Sequence, residues 1–366
     1  MRSASMDATS QRTSIAAGLE WLALIMSLTV GTSIAAIIMG NRVGIPVLSV
    51  YWEYVAAVYR LAPLILVALA IGVAASVALR REARPIAAIA TMARARFHSR
   101  EELAATVGPV LLMPLLLGAF GALKQLLPIY RPFEWDDTFA GFARYIFFGR
   151  RGWEVTHGLF SSPEATLVLD RIYTAWVPML FAAVLLYALF APAALRARFF
   201  LSLTLGFVLI GVVSAFFFSS AGPCYARLIG TASAPAYDGL MARLHAIDAA
   251  GYHLQALEWQ KQLWIAHEQR EYGFAMGISA MPSMHNAVSF LYVLTAWRAR
   301  PLVRIAAWSF ALLILIGSVH LGWHYIADGL VAWAMMGTIW IASSWALRVW
   351  RPLPAPIRRE TAVQPA

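Results

Sequence analysis

The sequence predicts an all-α fold, a polytopic membrane helix bundle with about eight transmembrane helices. Of its 366 residues, 60% are hydrophobic and 13% are charged, and the mean hydropathy is +0.66. Soluble domains carry roughly 45–50% apolar and about 25% charged residues. The apolar residues form continuous blocks and do not alternate with polar ones, so helices are expected to cross the bilayer. This composition excludes a disordered chain, a collagen-like repeat, a coiled coil and almost any water-soluble enzyme.

Eight apolar blocks are near or above the roughly 18–20 residues that a helix needs to cross about 30 Å of hydrocarbon. They are Leu19–Met39, Leu61–Leu79, Leu103–Leu123, Tyr173–Leu195, Phe199–Ala221, Met276–Trp297, Leu302–Leu321 and Tyr325–Leu347. The first block could instead be a secretory signal, but its apolar stretch exceeds the usual length of roughly 7–15 residues. No internal repeat or low-complexity linker divides the chain, so we expect one integral-membrane domain over residues 1–366.

The connections between the blocks alternate between the two sides of the membrane. The side with both termini carries 17 of the 29 Lys and Arg residues, and the remainder lie in loops that are together much longer. Basic residues in short connections mark the cytoplasmic side. Both termini are therefore expected in the cytoplasm, and two long segments, about 124–171 and 222–272, on the external side. The richness in Ala and Arg favours a bacterial inner membrane with a periplasmic site.

The net charge of +10 does not indicate a nucleic-acid partner. The basic residues are scattered between apolar blocks and line neither one face nor one tail. Membrane topology explains them, so the expected partners are membrane lipids and no nucleic acid. The single cysteine, Cys224, excludes an intramolecular disulfide, a cysteine zinc cluster and an iron–sulfur centre, and is expected to be a small packed residue.

The two external segments are expected to differ in character. The first is rich in aromatic and charged residues and is expected to lie on the membrane surface. The second carries an apolar stripe that predicts one amphipathic helix or two, with a solvated cap over the site as the alternative. The stripe consists of Met241, Leu244, Ile247, Leu254 and Leu257. The following loop residues are expected at solvated surface: Arg144, Arg150, Arg151, Arg227, His157, His245, His253 and His267.

Three polar motifs lie at the ends of apolar blocks. The first runs from Lys124 to Pro132, the second from Met281 to His285, and the third from Gly317 to Asp328. Counting the crossings between the motifs predicts that all three lie at the external face. The three motifs are therefore expected to form one site.

The first two motifs carry groups that suit an anion. Lys124 and Arg131 supply positive charge, and an Arg can bind two oxygens of one phosphate in its planar fork. Pro282 fits the first turn of a helix, so Ser283 and the neighbouring backbone N–H groups would form a helix N-terminus that favours an anion. These residues predict a phosphate site.

Two histidines permit the divided labour that phosphoester cleavage needs. One histidine can attack phosphorus while the other protonates the departing oxygen. His324 and His285 fit these roles. Asp328 lies four residues after His324, so on a helix its carboxylate would share a face with the imidazole and fix its tautomer.

Together the motifs resemble the signature of the type 2 phosphatidic acid phosphatase superfamily: Lys-x6-Arg-Pro, Pro-Ser-x-His and Ser-Arg-x5-His-x3-Asp. The first two match in full, and the third matches at His324 and Asp328. The resemblance extends over about residues 103–347 and implies a six-helix phosphatase-like core. It implies a phosphohistidine on His324, oriented by Asp328, with His285 as general acid. It assigns phosphate binding to Lys124, Arg131 and Ser283.

The same resemblance implies a membrane phosphoesterase whose substrate is a lipid phosphate, a lipid diphosphate or a phospholipid. No cofactor and no metal is expected. Hydrolysis would release phosphate, and transfer of the phospho-headgroup to a lipid alcohol is the alternative. Sequence alone leaves the acceptor open.

The third motif departs from the family because Gly317 and Ser318 stand where the signature has Ser and Arg. A diester carries one negative charge and a monoester close to two, so the loss of a cation favours a diester-like donor. His320, one turn before His324, is a candidate substitute donor to phosphate. The loss of the Arg also resembles the inositol-phosphotransferase branch, the inositol phosphorylceramide synthase-like proteins.

Two rival functions remain at this stage. The four-residue spacing of His320, His324 and Asp328 would suit a metal-dependent membrane hydrolase, but it leaves Lys124 and Arg131 unexplained. A lipid-phosphate binder or transporter could use the same cradle, but it gives His285 and His324 no separate tasks.

Overall fold

The structure, a computed structural model, describes residues 18–79, 86–87, 90–91, 94 and 97–349. Within these ranges it consists of helices and contains no strand, so the predicted all-α class is confirmed. The helices are α1 Glu20–Arg42, α2 Val47–Leu79, α3 Arg100–Tyr130, α4 Asp136–Ile146, α5 Gly152–Leu159, α6 Pro163–Thr174, α7 Trp176–Phe190, α8 Ala193–Leu205, α9 Asp238–Ile247, α10 Gln255–Gln269, α11 Met284–Ala296, α12 Pro301–His320 and α13 Ile326–Val349. A π-helical stretch, Gly206–Ser214, continues α8 as far as a last turn at Ala215–Phe217.

Six helical stretches of the described chain are long and apolar enough to cross a membrane. They are Glu20–Arg42, Arg100–Tyr130, Pro163–Phe190, Ala193–Phe217, Pro301–His320 and Ile326–Val349. Each overlaps one of the predicted blocks. The predicted block Leu61–Leu79 lies inside the longer helix α2.

The predicted block Met276–Trp297 requires a correction, since its helix, α11, covers only Met284–Ala296. Irregular backbone at membrane depth is tolerated where its polar groups are paired inside the protein. Ser220 provides two such partners: its carbonyl accepts from the Ala280 N–H at 2.9 Å and its Oγ from the Met281 N–H at 3.1 Å. The residues before α11 therefore form a loop held within the protein.

The predicted block Tyr173–Leu195 is divided by a break at Ala175, between α6 and α7. Pro178 has no N–H to donate to the carbonyl four residues earlier, that of Thr174, so the helix is interrupted there. The break lies beside the aromatic residues that contact the site described below.

The central helix of the bundle is α11, which packs against α12, α13 and α8. Its residues Ala287, Val288 and Leu291 are fully buried. The first two helices pack against α3 at one side of the bundle. Helices α11 and α13 therefore pack against each other in the interior of the bundle.

The second long segment, about residues 222–272, forms two helices, α9 and α10, in agreement with the predicted apolar stripe. Leu244, Ile247, Leu254 and Leu257 are buried. The two helices are separated at Gly251, whose φ of 96° a side-chain-bearing residue rarely adopts. The stripe therefore faces the protein, and α10 supplies one wall of the site.

Candidate active site

A cavity of about 380 Å³ lies between α3, α6, α7, α10, the loop before α11 and the turn before α13. Most of its lining is apolar or aromatic. Lys124, His285 and His324 are the Lys, Arg or His side chains among the described lining residues, and no Asp or Glu is among them. A cavity whose described lining contains a lysine and two histidines but no carboxylate favours an anionic ligand.

His324 is held on both ring nitrogens at this wall. Its Nδ1 lies 3.1 Å from Oδ2 of Asp328, and its Nε2 lies 3.0 Å from Oγ of Ser283. An ionised Asp328 can only accept, so a neutral His324 carries its proton on Nδ1 and presents a lone pair at Nε2. The Ser283 hydroxyl donates to that lone pair. This arrangement leaves Nε2 in the form that a nucleophile requires.

Local backbone structure positions the His324–Asp328 pair. His324 lies in the turn before α13, and Asp328 lies in the first turn of that helix. The pair therefore forms across a helix start and not along one continuous helix, as the spacing had suggested. Oδ2 of Asp328 also accepts from the Tyr325 N–H at 3.0 Å, which holds the carboxylate beneath the imidazole. Asp328 is fully buried, and His324 is only 7% exposed.

Ser283 is the N-cap of α11, so a helix N-terminus lies at this motif, as predicted. Its Oγ accepts from the Asn286 N–H at 3.4 Å, while Pro282 precedes the cap and is not in the first turn. The Ser283 N–H donates to the Asp328 carbonyl at 3.2 Å. The second and third motifs are thereby joined through their backbone.

Aromatic rings position His285. The Tyr173 ring stacks on it with centroids 4.6 Å apart, and the Trp176 ring lies 4.1 Å away. The Trp176 Nε1–H also donates to the His285 carbonyl at 3.1 Å. Sequence reasoning placed Tyr173 inside an apolar block and gave Trp176 no role, because no spacing rule distinguishes an aromatic beside a site from one facing lipid.

Lys124 reaches the cavity from α3, and the described salt bridges do not include it. Gly277 lies directly on it: a Cβ at that position would be 2.8 Å from Cγ of Lys124. The loop is held there by Gln125, whose Nε2–H donates to the Gly273 carbonyl at 3.0 Å and whose Oε1 accepts from the Gly273 N–H at 2.9 Å. The loop thus covers the lysine at the cavity wall.

Two predicted phosphate ligands lie elsewhere. Arg131 follows the end of α3 and does not line the cavity; its guanidinium lies 5.8 Å from the centroid of the Phe216 ring. His320 ends α12, and its Nε2 is 2.9 Å from Oγ1 of Thr166. The structure does not bring His320 together with His324 and Asp328, so these three do not form the metal-ligand set considered above.

His157, expected at the solvated surface, is buried and stacks on His320 with ring centroids 3.7 Å apart. Its Nε2–H donates to the His320 carbonyl at 2.9 Å. The aromatic segment that contains α5 therefore packs on the end of α12. Nothing in the spacing of His157 indicated this contact.

The buried His157 predicts a loss of stability in acid. Burial lowers the pKa of His157, Arg243 lowers it further, and the hydrogen bond to His320 partly offsets both. The unfolded chain has the ordinary value of about 6.5, so it binds more protons and the stabilisation present above that pH is lost as the pH falls. His157→Gln should reduce the fall in Tm between about pH 7.5 and about pH 5. The exposed His245, changed to Gln, is the matched control; an equal fall in wild type and His157→Gln would contradict the prediction.

Asp136 is a buried carboxylate that sequence reasoning did not identify. It accepts from the N–H groups of Ala221 and Gly222 at 2.9 and 2.8 Å and from the Tyr325 hydroxyl at 3.1 Å. Burial raises its pKa, and these hydrogen bonds partly offset the rise. Gly222 has a φ of 102°, and a Cβ there would lie 2.5 Å from the Trp323 carbonyl oxygen. Asp136 thereby joins this loop to the turn that carries the nucleophile candidate.

Comparison with known proteins supports a family assignment. A family model described as PAP2 superfamily matches residues 140–342, more than half of the chain. The match includes the second and third motifs, whereas Lys124 and Arg131 precede it. It does not single out the inositol-phosphotransferase branch. No curated protein and no solved structure matches the chain. With the motifs, the helical bundle and this match in agreement, the chain belongs to the PAP2 superfamily.

Proposed function

We propose that this integral-membrane protein is a phosphoesterase that cleaves a phosphorylated or diphosphorylated lipid through a phosphohistidine on His324 and releases phosphate. One observation carries the proposal: His324 is held between Asp328 and Ser283 at the wall of a cavity that also contains Lys124 and His285. A nucleophile, its orienting carboxylate, a candidate acid and a cation are thus assembled around one space.

In the first step, Nε2 of His324 attacks phosphorus and the bond from phosphorus to the lipid oxygen breaks. A protonated His285 gives its proton to that oxygen, so the lipid leaves as an alcohol or a phosphate. The Ser283 hydroxyl turns from Nε2 to a phosphate oxygen as the nitrogen becomes engaged. Asp328 stabilises the Nδ1–H of the phosphorylated ring, and Lys124 stabilises the charge on the phosphoryl oxygens.

In the second step, water attacks phosphorus on the opposite side from His324. His285, now neutral, accepts the proton of the water, and the bond from phosphorus to Nε2 breaks. Inorganic phosphate leaves, and His285 is protonated for the next turnover. The same residues thus serve both steps, with His285 alternating between acid and base.

The wall of the cavity supports a lipid substrate. Most of its residues are aliphatic or aromatic; among them are Leu117 and Phe120 on α3, Phe181 on α7, and Trp259 and Leu263 on α10. Such a surface stabilises a hydrocarbon chain by burying it. The proposed orientation, with both termini cytoplasmic and this site external in a bacterial inner membrane, follows from the basic residues of the short loops.

Transfer of a phospho-headgroup to a lipid alcohol is the second candidate. Lys124 is the one Lys or Arg among the described lining residues, and Ser318 is buried at the position where the family signature has an Arg. A single cation suits a phosphodiester, which carries one negative charge, better than a monoester with nearly two. In this reaction the alcohol would take the place of water in the second step.

Three parallel incubations distinguish the two candidates. Purified protein is given phosphatidate in the first, a prenyl diphosphate in the second, and a headgroup-labelled phospholipid with a lipid alcohol in the third, and free phosphate and new labelled lipid are measured in each. The proposal predicts free phosphate in the first two incubations that disappears in His324→Ala. Labelled lipid without free phosphate would replace hydrolysis by transfer, and equal turnover in His324→Ala would overturn both.

Loss of the Lys124 charge is predicted to weaken substrate binding. Lys124→Gln should raise KM by about 10- to 100-fold, because hydrogen bonds to charged groups contribute about 1.5–3 kcal/mol. Lys124→Arg keeps the charge and should retain more affinity. Lys261, which is exposed on α10, provides the control Lys261→Gln. An unchanged KM in Lys124→Gln would show that the lysine does not bind the phosphate.

A further inference from the structure

Asn286 lies immediately after the candidate acid, in the first turn of α11, and belongs to none of the three motifs. Its side chain is fully buried. The amide Nδ2 lies 3.1 Å from Oγ of Ser283 and 3.4 Å from Oγ of Ser318. The side chain therefore connects the residue that contacts the nucleophile candidate with the residue at the altered position of the third motif.

The available donors and acceptors determine which group donates in each of these hydrogen bonds. The Ser318 hydroxyl donates to the Leu315 carbonyl at 2.7 Å, so towards Asn286 it can only accept. The two hydrogens of the Asn286 amide then go to Ser318 and to Ser283. Because Ser283 Oγ accepts from Asn286, its own hydrogen is directed to Nε2 of His324. Rotating the amide by 180° would place its oxygen against hydroxyls whose hydrogens already have acceptors.

Packing holds the amide in this place. A Cβ at Gly329 would lie 3.1 Å from Cγ and 3.2 Å from Nδ2 of Asn286, so the amide rests directly on the backbone of α13. The His324 N–H donates to the Ser318 carbonyl at 3.0 Å, which fixes the nucleophile candidate to the same anchor. Asn286 and His324 are thus both hydrogen-bonded to one residue, Ser318.

We propose that Asn286 is a positioning residue, which directs the Ser283 hydroxyl towards Nε2 of His324 and so maintains the unprotonated, nucleophilic nitrogen, with Ser318 as its anchor. The inference rests on the proposed phosphohistidine function and deepens it. The position that carries an Arg in the family signature is used here to orient the nucleophile. It does not place a second cation on the phosphate.

Two substitutions change the hydrogen bonds between Asn286, Ser283 and His324 in different ways. Asn286→Ala removes the donor to Ser283, and we expect kcat to fall about tenfold at constant KM, the size of one hydrogen bond of about 1.4 kcal/mol. Asn286→Asp replaces a donor by an acceptor, so the Ser283 hydrogen turns to the new carboxylate and Ser283 Oγ accepts from Nε2. Protonated His324 is then favoured, and the acidic limb of the pH–rate profile should move up by about one pH unit or more.

The other charged and titratable groups near His324 are unchanged in these variants. They are Asp328 and Tyr325 at the start of α13, His285 on α11, Lys124 on α3, Tyr173 on α6 and Asp136 on α4. A displaced acidic limb in Asn286→Asp can therefore be assigned to the altered hydrogen bond with Ser283 and to the charge of the new carboxylate.

A double-mutant cycle provides the decisive test, with the rate of phosphoenzyme formation as the readout. If Asn286 acts through Ser283, the tenfold loss in Asn286→Ala should nearly vanish in the Ser283→Ala background, because the hydroxyl that it directs is gone. Equal losses in both backgrounds would overturn the proposal, as would an unmoved acidic limb in Asn286→Asp. Ser318→Ala, a smaller change, should lower the rate two- to fivefold (an estimate of about 0.4–1 kcal/mol) and show the same dependence on Ser283.

Controls separate this inference from folding and from the proposed function. Ser202→Ala removes a buried hydroxyl that donates to Ser343 at 3.0 Å, far along the chain from the motifs, and should leave the pH profile unchanged. Tm of each variant reports folding; if Asn286→Ala does not fold, Ser318→Ala carries the cycle. Turnover by His324→Ala at the wild-type rate would overturn the proposed function, whereas His324-dependent turnover with additive losses would overturn only the role of Asn286.

Discussion

Replacing His324 by Ala is expected to lower kcat by at least about 10⁴-fold, because the variant has no nitrogen to form the covalent intermediate. The buried site retains its Lys124 and aromatic wall, so KM for the lipid should change much less. Turnover of a lipid phosphate in detergent micelles, measured by phosphate release, checks this result.

The control for this substitution is His245→Ala, which removes an exposed histidine on α9. It should leave kcat unchanged. A His324→Ala variant that keeps more than about a tenth of wild-type kcat would be incompatible with attack by this residue, given what loss of a nucleophile costs.

The second large effect is expected at His285 and should depend on the leaving group. With an alkyl phosphate, loss of the general acid in His285→Ala should lower kcat by about 10²–10⁴-fold. With a nitrophenyl phosphate that carries an alkyl chain, the phenolate leaves without a proton, so the first step should be little affected. Comparison of the rates of phosphoenzyme formation with the two substrates measures this difference.

Lys124→Gln is the matched control for the leaving-group test, because phosphate binding is needed for both substrates. It should weaken both reactions to a similar extent. If His285→Ala lost the same factor with the alkyl and the nitrophenyl substrate, His285 would not be the proton donor to the leaving oxygen.

The residues proposed to carry the chemistry were predictable where a motif contributes to the cavity wall. Lys124, His285 and His324 all line one space, although more than 150 residues separate the first from the second. Their common side was predicted by counting apolar blocks, because each block that crosses the membrane reverses the side of the next connection. The blocks thus carried most of the information about the fold.

Spacing failed for His320 because a helix ends there. Four residues separate His320 from His324, but α12 ends at His320 and the chain turns at Gly322, where φ is 77°. The two side chains therefore do not share a helical face. Arg131 lies at the corresponding kind of boundary, just beyond the end of α3, where a helical spacing no longer sets the direction of a side chain.

Long-range contacts explain the remaining omissions. Asp136 meets Tyr325 across 189 positions of the sequence, and Tyr173 meets His285 across more than 100. Neither pair belongs to a local pattern. The first part of the predicted block Met276–Trp297 was wrongly predicted as helix for the same reason. Ser220, distant in sequence, pairs backbone groups there that would otherwise require a helix.

The proposed mechanism depends on a covalent intermediate, and locating the phosphoryl group tests it most directly. Wild-type protein is mixed with a lipid phosphate, quenched without acid because phosphohistidine is acid-labile, digested and analysed by mass spectrometry. The phosphohistidine mechanism predicts a phosphoryl group on His324 that accumulates before product release and is absent from His324→Ala. A phosphoryl group on another residue, or product formation in a single turnover with no phosphorylated peptide, would contradict it.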